Sequence, residues 1–304
     1  MRHPAIAPAA RGVGSPQRGE DKMTSPYSDL EGKVAIITGA AGGFGVALLE
    51  GFLDAGLRVG ALTHSADGAA KLQQTYGDKV FALPCDVIDP DACVRQVNAV
   101  VEHFGGLHVL INNAALGMNS VHPEYTRKKL QIEDVSPQLW ARFFATNVNG
   151  VFNMTHAVVP ILRRQKWGRI VYMGTSYFTM LRPGFSPYGP SKAACEAWML
   201  MLSRELDGSG ITVNAVLPGG PSDTVMVPDE PGVDRRTLIP PSAMAPPTLG
   251  LLTELGGHVS GQRFLAVDWD PAVGTDPAKQ PHRSMAWPDL AVALSTSQSA
   301  KAKK

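Results

Sequence analysis

K-V-A-I-I-T-G-A-A-G-G-F-G, residues 33–45, joins a short apolar run to a glycine-rich turn. Lys33–Thr38 is almost continuously apolar, as a strand covered on both faces should be. It runs straight into Gly39, Gly42, Gly43, Phe44 and Gly45, and the pattern Val46–Leu53 that follows suits a helix. Strand, glycine turn and helix in this order open a sheet whose ligands bind outside the carboxyl ends of its strands. Glycines there let the backbone approach a pyrophosphate, and the helix N-terminus offers free N–H groups and positive dipole. The spacing G-x-x-x-G-x-G departs from the dinucleotide fingerprint G-x-G-x-x-G. The demands of a sharp turn alone would also explain the glycines.

The rest of the chain repeats the theme. Further β-rich runs are Leu57–Thr63, Lys79–Leu83, Leu107–Asn112, Arg169–Met173, Ile211–Val216 and Gln262–Val267, with helical stretches between them such as Ala92–His103 and Ala193–Leu206. Alternating β and α implies right-handed crossovers. The expected fold is an α/β doubly wound, parallel, seven-stranded sheet of Rossmann-like type in a single domain. A helix over 137–164 carries Trp140, Phe143, Phe144, Val148, Val151 and Phe152 at mixed three- and four-residue spacing, which reads as core packing.

Length and charge set the frame. The 304 residues would by length alone suggest two domains. The motifs instead favour one dinucleotide-binding and catalytic domain over 31–270, a disordered tail over 1–30 and a partly disordered extension over 271–304. Met23 is a second candidate start. Residues 1–30 carry four basic and three acidic side chains and 271–304 carry five and two, so a net charge of +1 leaves the body at −3. That argues against nucleic acid or an anionic membrane as partner. The apolar runs are strand-sized, with no secretory signal. Cys85, Cys93 and Cys195 are widely spaced and read as reduced thiols, which points to the cytoplasm and gives no metal framework.

Candidate site residues fall at strand ends. The second strand ends in Thr63-His64, where a carboxylate would have held the ribose of NAD and repelled a 2′-phosphate. NADP is favoured, with NAD possible; as ordinary loop residues the pair would say nothing. Asp86 is placed either to hold an adenine ring or to open the turn before Pro90. Tyr188 and Lys192, in Y-G-P-S-K, share a helix face at i, i+4. A neighbouring ammonium lowers a phenol pKa, and such a tyrosine passes protons to and from a substrate oxygen.

Together these residues resemble the short-chain dehydrogenase/reductase family over about residues 31–268. The resemblance rests on T-G-A-A-G-G-F-G (38–45), C-D-V (85–87), N-N-A-A (112–115), T-N-V-N-G (146–150), G-R-I-V-Y-M-G-T-S (168–176), Tyr188-x-x-x-Lys192 and P-G-G (218–220). It implies a nicotinamide-dependent oxidoreductase (EC 1.1.1.-) that moves hydride between its cofactor and a small carbonyl or secondary alcohol. Tyr188 is then the general acid or base. Lys192 tunes it and holds the nicotinamide ribose, and Asn147 sits at a helix irregularity that holds a proton-relaying water. Thr175 and Ser176 compete for the substrate-binding hydroxyl, with Ser176 slightly favoured because it lacks a β-methyl. The cofactor site would comprise Gly39, Gly43, Phe44, Gly45, Thr63, His64, Asp86, Val87, Asn113, Ala114, Tyr188, Lys192, Pro218, Gly219 and Thr224.

N-N-A-A for N-N-A-G, and Thr224 standing one residue late, are departures from the family pattern. Two more are the polar segment Gly117–Ser136 with Arg127-Lys128-Lys129, and Pro218–Pro247 with eight prolines. The second is the expected substrate lid, with Met226, Leu238 and Met244 lining an apolar pocket. The basic triplet reads as a solvated loop. The family also implies a homodimer or homotetramer. Alternatives are an epimerase or dehydratase that retains its cofactor, and a non-catalytic cofactor-sensing regulator, against which the intact Tyr–Lys–Asn set argues.

Overall fold

The computed structural model describes residues 25–287. Seven parallel strands form the sheet: β1 (Val34–Thr38), β2 (Arg58–Thr63), β3 (Val80–Pro84), β4 (Val109–Asn112), β5 (Gly168–Met173), β6 (Ile211–Leu217) and β7 (Gln262–Leu265). They lie in the order β3-β2-β1-β4-β5-β6-β7, so the order reverses beside β1. The sequence places all seven, with ends shifted by one or two residues. An eighth strand, β8 (Ser284–Met285), pairs antiparallel with β7 and was not foreseen.

Helices cover both faces. α3 (Pro90–Phe104), α5 (Gly150–Gln165) and α7 (Tyr188–Glu205) pack on one, and α1 (Phe44–Asp54), α2 (Ala66–Tyr76) and α8 (Ala245–Leu252) on the other. The alternation inside β1 shows why the strand reads as continuously apolar. Val34 and Ile36 join the first core, Ala35 and Ile37 the second, and all four are buried. Burying one such large side chain contributes about 1.5–3 kcal/mol.

The expected boundaries move outward. Leu30 is buried in the second core, and the Asp29 carboxylate accepts from the Glu254 amide at 2.6 Å, so the folded body begins before residue 31. At the other end, residues 271–287 wrap back until Ala286 is fully buried in the first core. Residues 1–24 and 288–304, the remainder of the expected tails, lie outside the described residues.

The single helix expected over 137–164 is two, α4 (Pro137–Phe144) and α5, joined by a π-helical turn at Ala145–Asn149. Phe143 and Val151 are core residues as expected. Trp140 and Phe152 are not, being 38% and 49% exposed. An i→i+5 turn advances the chain by an extra residue and rotates the helix face that follows.

Candidate active site

The glycine turn is built on Thr38. Its hydroxyl donates to the Ile111 carbonyl at 3.2 Å and accepts the amides of Asn113 and Ala114 at 3.0 Å each, tying the end of β1 to the end of β4. The Asn113 amide donates to the carbonyls of Thr38 and Gly39 at 2.9 and 3.0 Å. Asn113 therefore braces the turn from within, and Thr38 is a site residue the sequence reading missed. Gly39, at φ 64°, brings the backbone so near Ala114 that a Cβ would stand 2.9 Å from the Ala114 Cα. Gly43 (φ 52°) faces only the Thr224 side chain, and Gly42 borders open space.

This turn, Asn113, Ala114, Met173, Gly174, Tyr188, Lys192 and Thr224 line one groove of about 220 Å³. It has the room and backbone amides a nicotinamide–ribose–phosphate unit needs, so the residues present fit such a cofactor. Thr63 and His64 end β2 beside the turn, where the Ala40 amide donates to Leu62 O at 3.0 Å. Asp86 is a turn former: its carboxylate accepts from the Ile88 amide at 3.1 Å, and its carbonyl accepts from the Asp89 amide. Val87 packs against Gly150, where a Cβ would collide with it.

The candidate proton-handling residues stand where α7 meets the π-turn. Lys192 is buried, and its ammonium donates to Met173 O at 2.9 Å, 5.8 Å from the Tyr188 ring centroid. Burial brings its pKa down to about 8. The Asn147 side chain donates to Leu116 O and Ser191 Oγ at 3.0 Å each and accepts from the Leu116 amide at 2.7 Å. Its backbone carbonyl accepts the Cys195 thiol at 2.9 Å.

The resemblance gave Lys192 the task of lowering the Tyr188 pKa. In this protein burial pushes Tyr188 up to about 12, and the Thr175 hydrogen bond pulls it down. The Lys192 ammonium is committed to Met173 O and is not among the groups that shift the phenol.

The two hydroxyls after β5 separate cleanly. Ser176 caps α6 (Tyr177–Leu181): its Oγ accepts from the Thr179 amide at 3.1 Å and meets Thr179 Oγ1 at 3.0 Å. The Thr175 side chain faces the cavity that Tyr188 also lines. Thr175 and Ser176 both line the cavity beside Tyr188, and Ser176 is the one also engaged in capping.

Above the groove opens a cavity of about 720 Å³. It reaches Thr175, Tyr188, Pro218 and Gly219 at its base, and Met118, Tyr125, Phe178, Phe185, Met226 and Leu238 form much of its wall. Met244, expected in that wall, lies fully buried in the second core. The two atypical segments are latched together over the cavity. Asn119 Nδ2 donates to Val225 O at 3.1 Å, the Tyr125 hydroxyl to Met226 O at 3.2 Å, and Arg127 Nε to Glu230 Oε2 at 3.1 Å. Arg127 is therefore a bridge to the lid, where a solvated charge was expected.

The geometry is that of a dinucleotide groove ending at a tyrosine–lysine pair, with a substrate cavity on top. The family model for short chain dehydrogenases matches residues 33–231. The chain belongs to the short-chain dehydrogenase family. An acetoacetyl-CoA reductase of Paracoccus denitrificans is 31% identical over 244 residues, covering 77% of this chain and 96% of the relative. The 3-oxoacyl-(acyl-carrier-protein) reductase FabG of Vibrio cholerae is 30% identical over 191 residues, 63% of this chain and 74% of the relative. A crystal structure of the 3-ketoacyl-(acyl-carrier-protein) reductase of Brucella melitensis complexed with NADH superposes with a TM-score of 0.68 at 25% identity, covering 78% of this chain and 96% of that one. As a short-chain dehydrogenase, the protein is an oxidoreductase that transfers hydride between a nicotinamide cofactor and a carbonyl or alcohol carbon. No helix of the described residues is long and apolar enough to cross a membrane.

Proposed function

We propose that the protein is an NADP(H)-preferring reductase of carbonyl compounds with a substantial apolar body. The observation that carries this reading is the joining of groove and cavity at Tyr188, which lines both. When bound, the cofactor supplies the hydride. The chain's own part is orientation and proton supply. Tyr188, protonated throughout the neutral range, donates to the substrate oxygen, and the Thr175 hydroxyl is the second donor to that oxygen. Lys192 and Thr224 hold the nicotinamide end, the glycine turn holds the pyrophosphate, and Asn147 fixes the π-turn behind Lys192. Thr63 and His64 stand at the end of β2, where a carboxylate would repel a 2′-phosphate.

The apolar wall suits a larger acyl chain or ring system. Arg182, 4.4 Å over the Phe185 ring, lines the cavity with no ion-pair partner among the described residues, whereas Asp234 is occupied by Arg236. The test is thermal stabilisation by NADPH against NADH, followed by turnover of 3-oxoacyl thioesters and matched neutral and anionic ketones. NADPH is expected to stabilise more; a larger shift with NADH overturns the assignment of Thr63 and His64. Tyr188→Phe should keep the NADPH shift and lose about 10²–10⁴-fold in turnover, with Thr175→Val also impaired. Wild-type turnover in Tyr188→Phe would remove the mechanism.

A further inference from the structure

Glu196 and Arg263 form a buried ion pair that the hydride-transfer scheme does not use. Glu196, on α7, is 0% exposed and Arg263, on β7, is 5% exposed, with Nε and Oε1 3.1 Å apart. The contact is charge to charge: neither Arg263 Nε nor either Glu196 oxygen has an aligned hydrogen bond. Burying two charges costs several kcal/mol per ion before their attraction is counted, so such a pair is a poor route to stability. Its connections are more informative.

Each end is fixed to an element that carries a proton-handling group. Glu196 lies four residues beyond Lys192 and eight beyond Tyr188, on the same face of α7. Arg263 Nη2 donates to the backbone carbonyl of Thr175 at 2.9 Å. The guanidinium carbon stands 3.7 Å from the Tyr177 ring centroid, so the charge is held flat on that ring. The Tyr177 hydroxyl accepts the Trp287 amide at 2.7 Å, and the two rings are 5.4 Å apart. Trp287 follows β8, whose Ser284 pairs with Arg263 itself. A continuous path therefore runs from the C-terminal strand through Tyr177 and Arg263 to Thr175 and α7.

We propose that Arg263 and Glu196 are positioning residues, and that with Tyr177 and the 284–287 segment they set the approach of the Thr175 hydroxyl to the Tyr188 phenol. This rests on the proposed roles of Thr175 and Tyr188. The pair touches neither cofactor nor substrate site. It ties the segment after β5 to α7, and the relative placement of these two sets how closely the Thr175 and Tyr188 side chains approach. The C-terminal segment thereby belongs to the catalytic architecture.

The test compares Arg263→Met, Arg263→Lys, Tyr177→Phe and Thr175→Val in the full chain, reading kcat, KM for NADPH, the pH profile of kcat and thermal stability. The titratable groups around Tyr188 in that profile are Lys192 and Cys195 on α7, Tyr125 from the latch and Tyr172 on β5. Arg263→Met should lower kcat about tenfold, since small misplacements are that costly. KM for NADPH should stay within twofold, and the limb belonging to Tyr188 should move to higher pH. Arg263→Lys keeps the charge without the planar fork and should fall between. Tyr177→Phe keeps the stacked ring and loses the hydroxyl that holds the Trp287 amide and faces Glu196, so it serves if Arg263→Met fails to fold; it should show a smaller loss of kcat in the same direction. Folded variants with lowered thermal stability but unchanged kcat and pH limb would reduce the pair to a structural role and overturn the proposal. An unimpaired Thr175→Val would overturn the underlying reading instead, and the proposal with it.

Discussion

Lys192 shows how a buried candidate active-site residue opposes stability. It is buried with its ammonium on one backbone carbonyl, and its folded pKa of about 8 lies below the 10.5 of an exposed lysine. Between those values the unfolded chain binds more protons, so folding stability rises with pH across that window and the full cost is present below it. Lys192→Met should therefore raise the melting temperature at pH 7 by a few degrees, with the gain shrinking toward pH 10, while turnover is lost. A melting temperature lowered at pH 7 would show that the Met173 bond outweighs burial. Individual residues were unevenly legible. Tyr188 and Lys192 stand four apart and announce themselves. Glu196 and Arg263 are 67 residues apart and meet only because β7 lies beside β6 and α7 crosses it. Thr38 hides as the last residue of an apolar strand, and its role depends on β4 arriving alongside.

At the scale of elements, the seven parallel strands were readable because each is buried on both faces and carries little polar alternation. The two-residue β8 has no such signature, and its pairing is set by the path of 266–283. The π-turn at 145–149 falls at the helix irregularity that the resemblance gives Asn147, and it breaks the aromatic spacing of its helix. The latch was equally hidden, since loop charges pair only through the tertiary fold. In it Arg127 is half exposed and reaches Glu124 as well as Glu230, whose side chain is 8% exposed. Arg127→Ala would leave that nearly buried carboxylate alone and should loosen the lid. We expect KM for the carbonyl substrate to rise several-fold with kcat little changed, and Glu230→Gln to be milder because it strands no charge. Titrating salt into the wild-type assay should reproduce part of the rise. A fall in kcat at constant KM would place Arg127 outside the lid.

For the molecule as a whole, the outer face of α5 and α7 presents Phe152, 49% exposed and 5.6 Å from the Trp198 ring, with Met201 53% exposed nearby on α7. The resemblance implies a homodimer or homotetramer, and this is the face we propose for its contact. Phe152→Glu should therefore halve the mass seen by light scattering at micromolar concentration, with NADPH binding retained; an unchanged mass would place any self-association elsewhere.

The antiparallel β8 restricts how such association proceeds. A parallel sheet that ended at β7 would offer a row of unpaired backbone groups to another chain. Here the terminal ladder is closed by a strand of two residues, too short to template a third, and the chain turns inward at once to bury Ala286. Sheet-to-sheet polymerisation through this edge is blocked by the same few residues that seat Tyr177. Strand addition is closed off at this end of the sheet, which leaves β3 as the outer strand at the other.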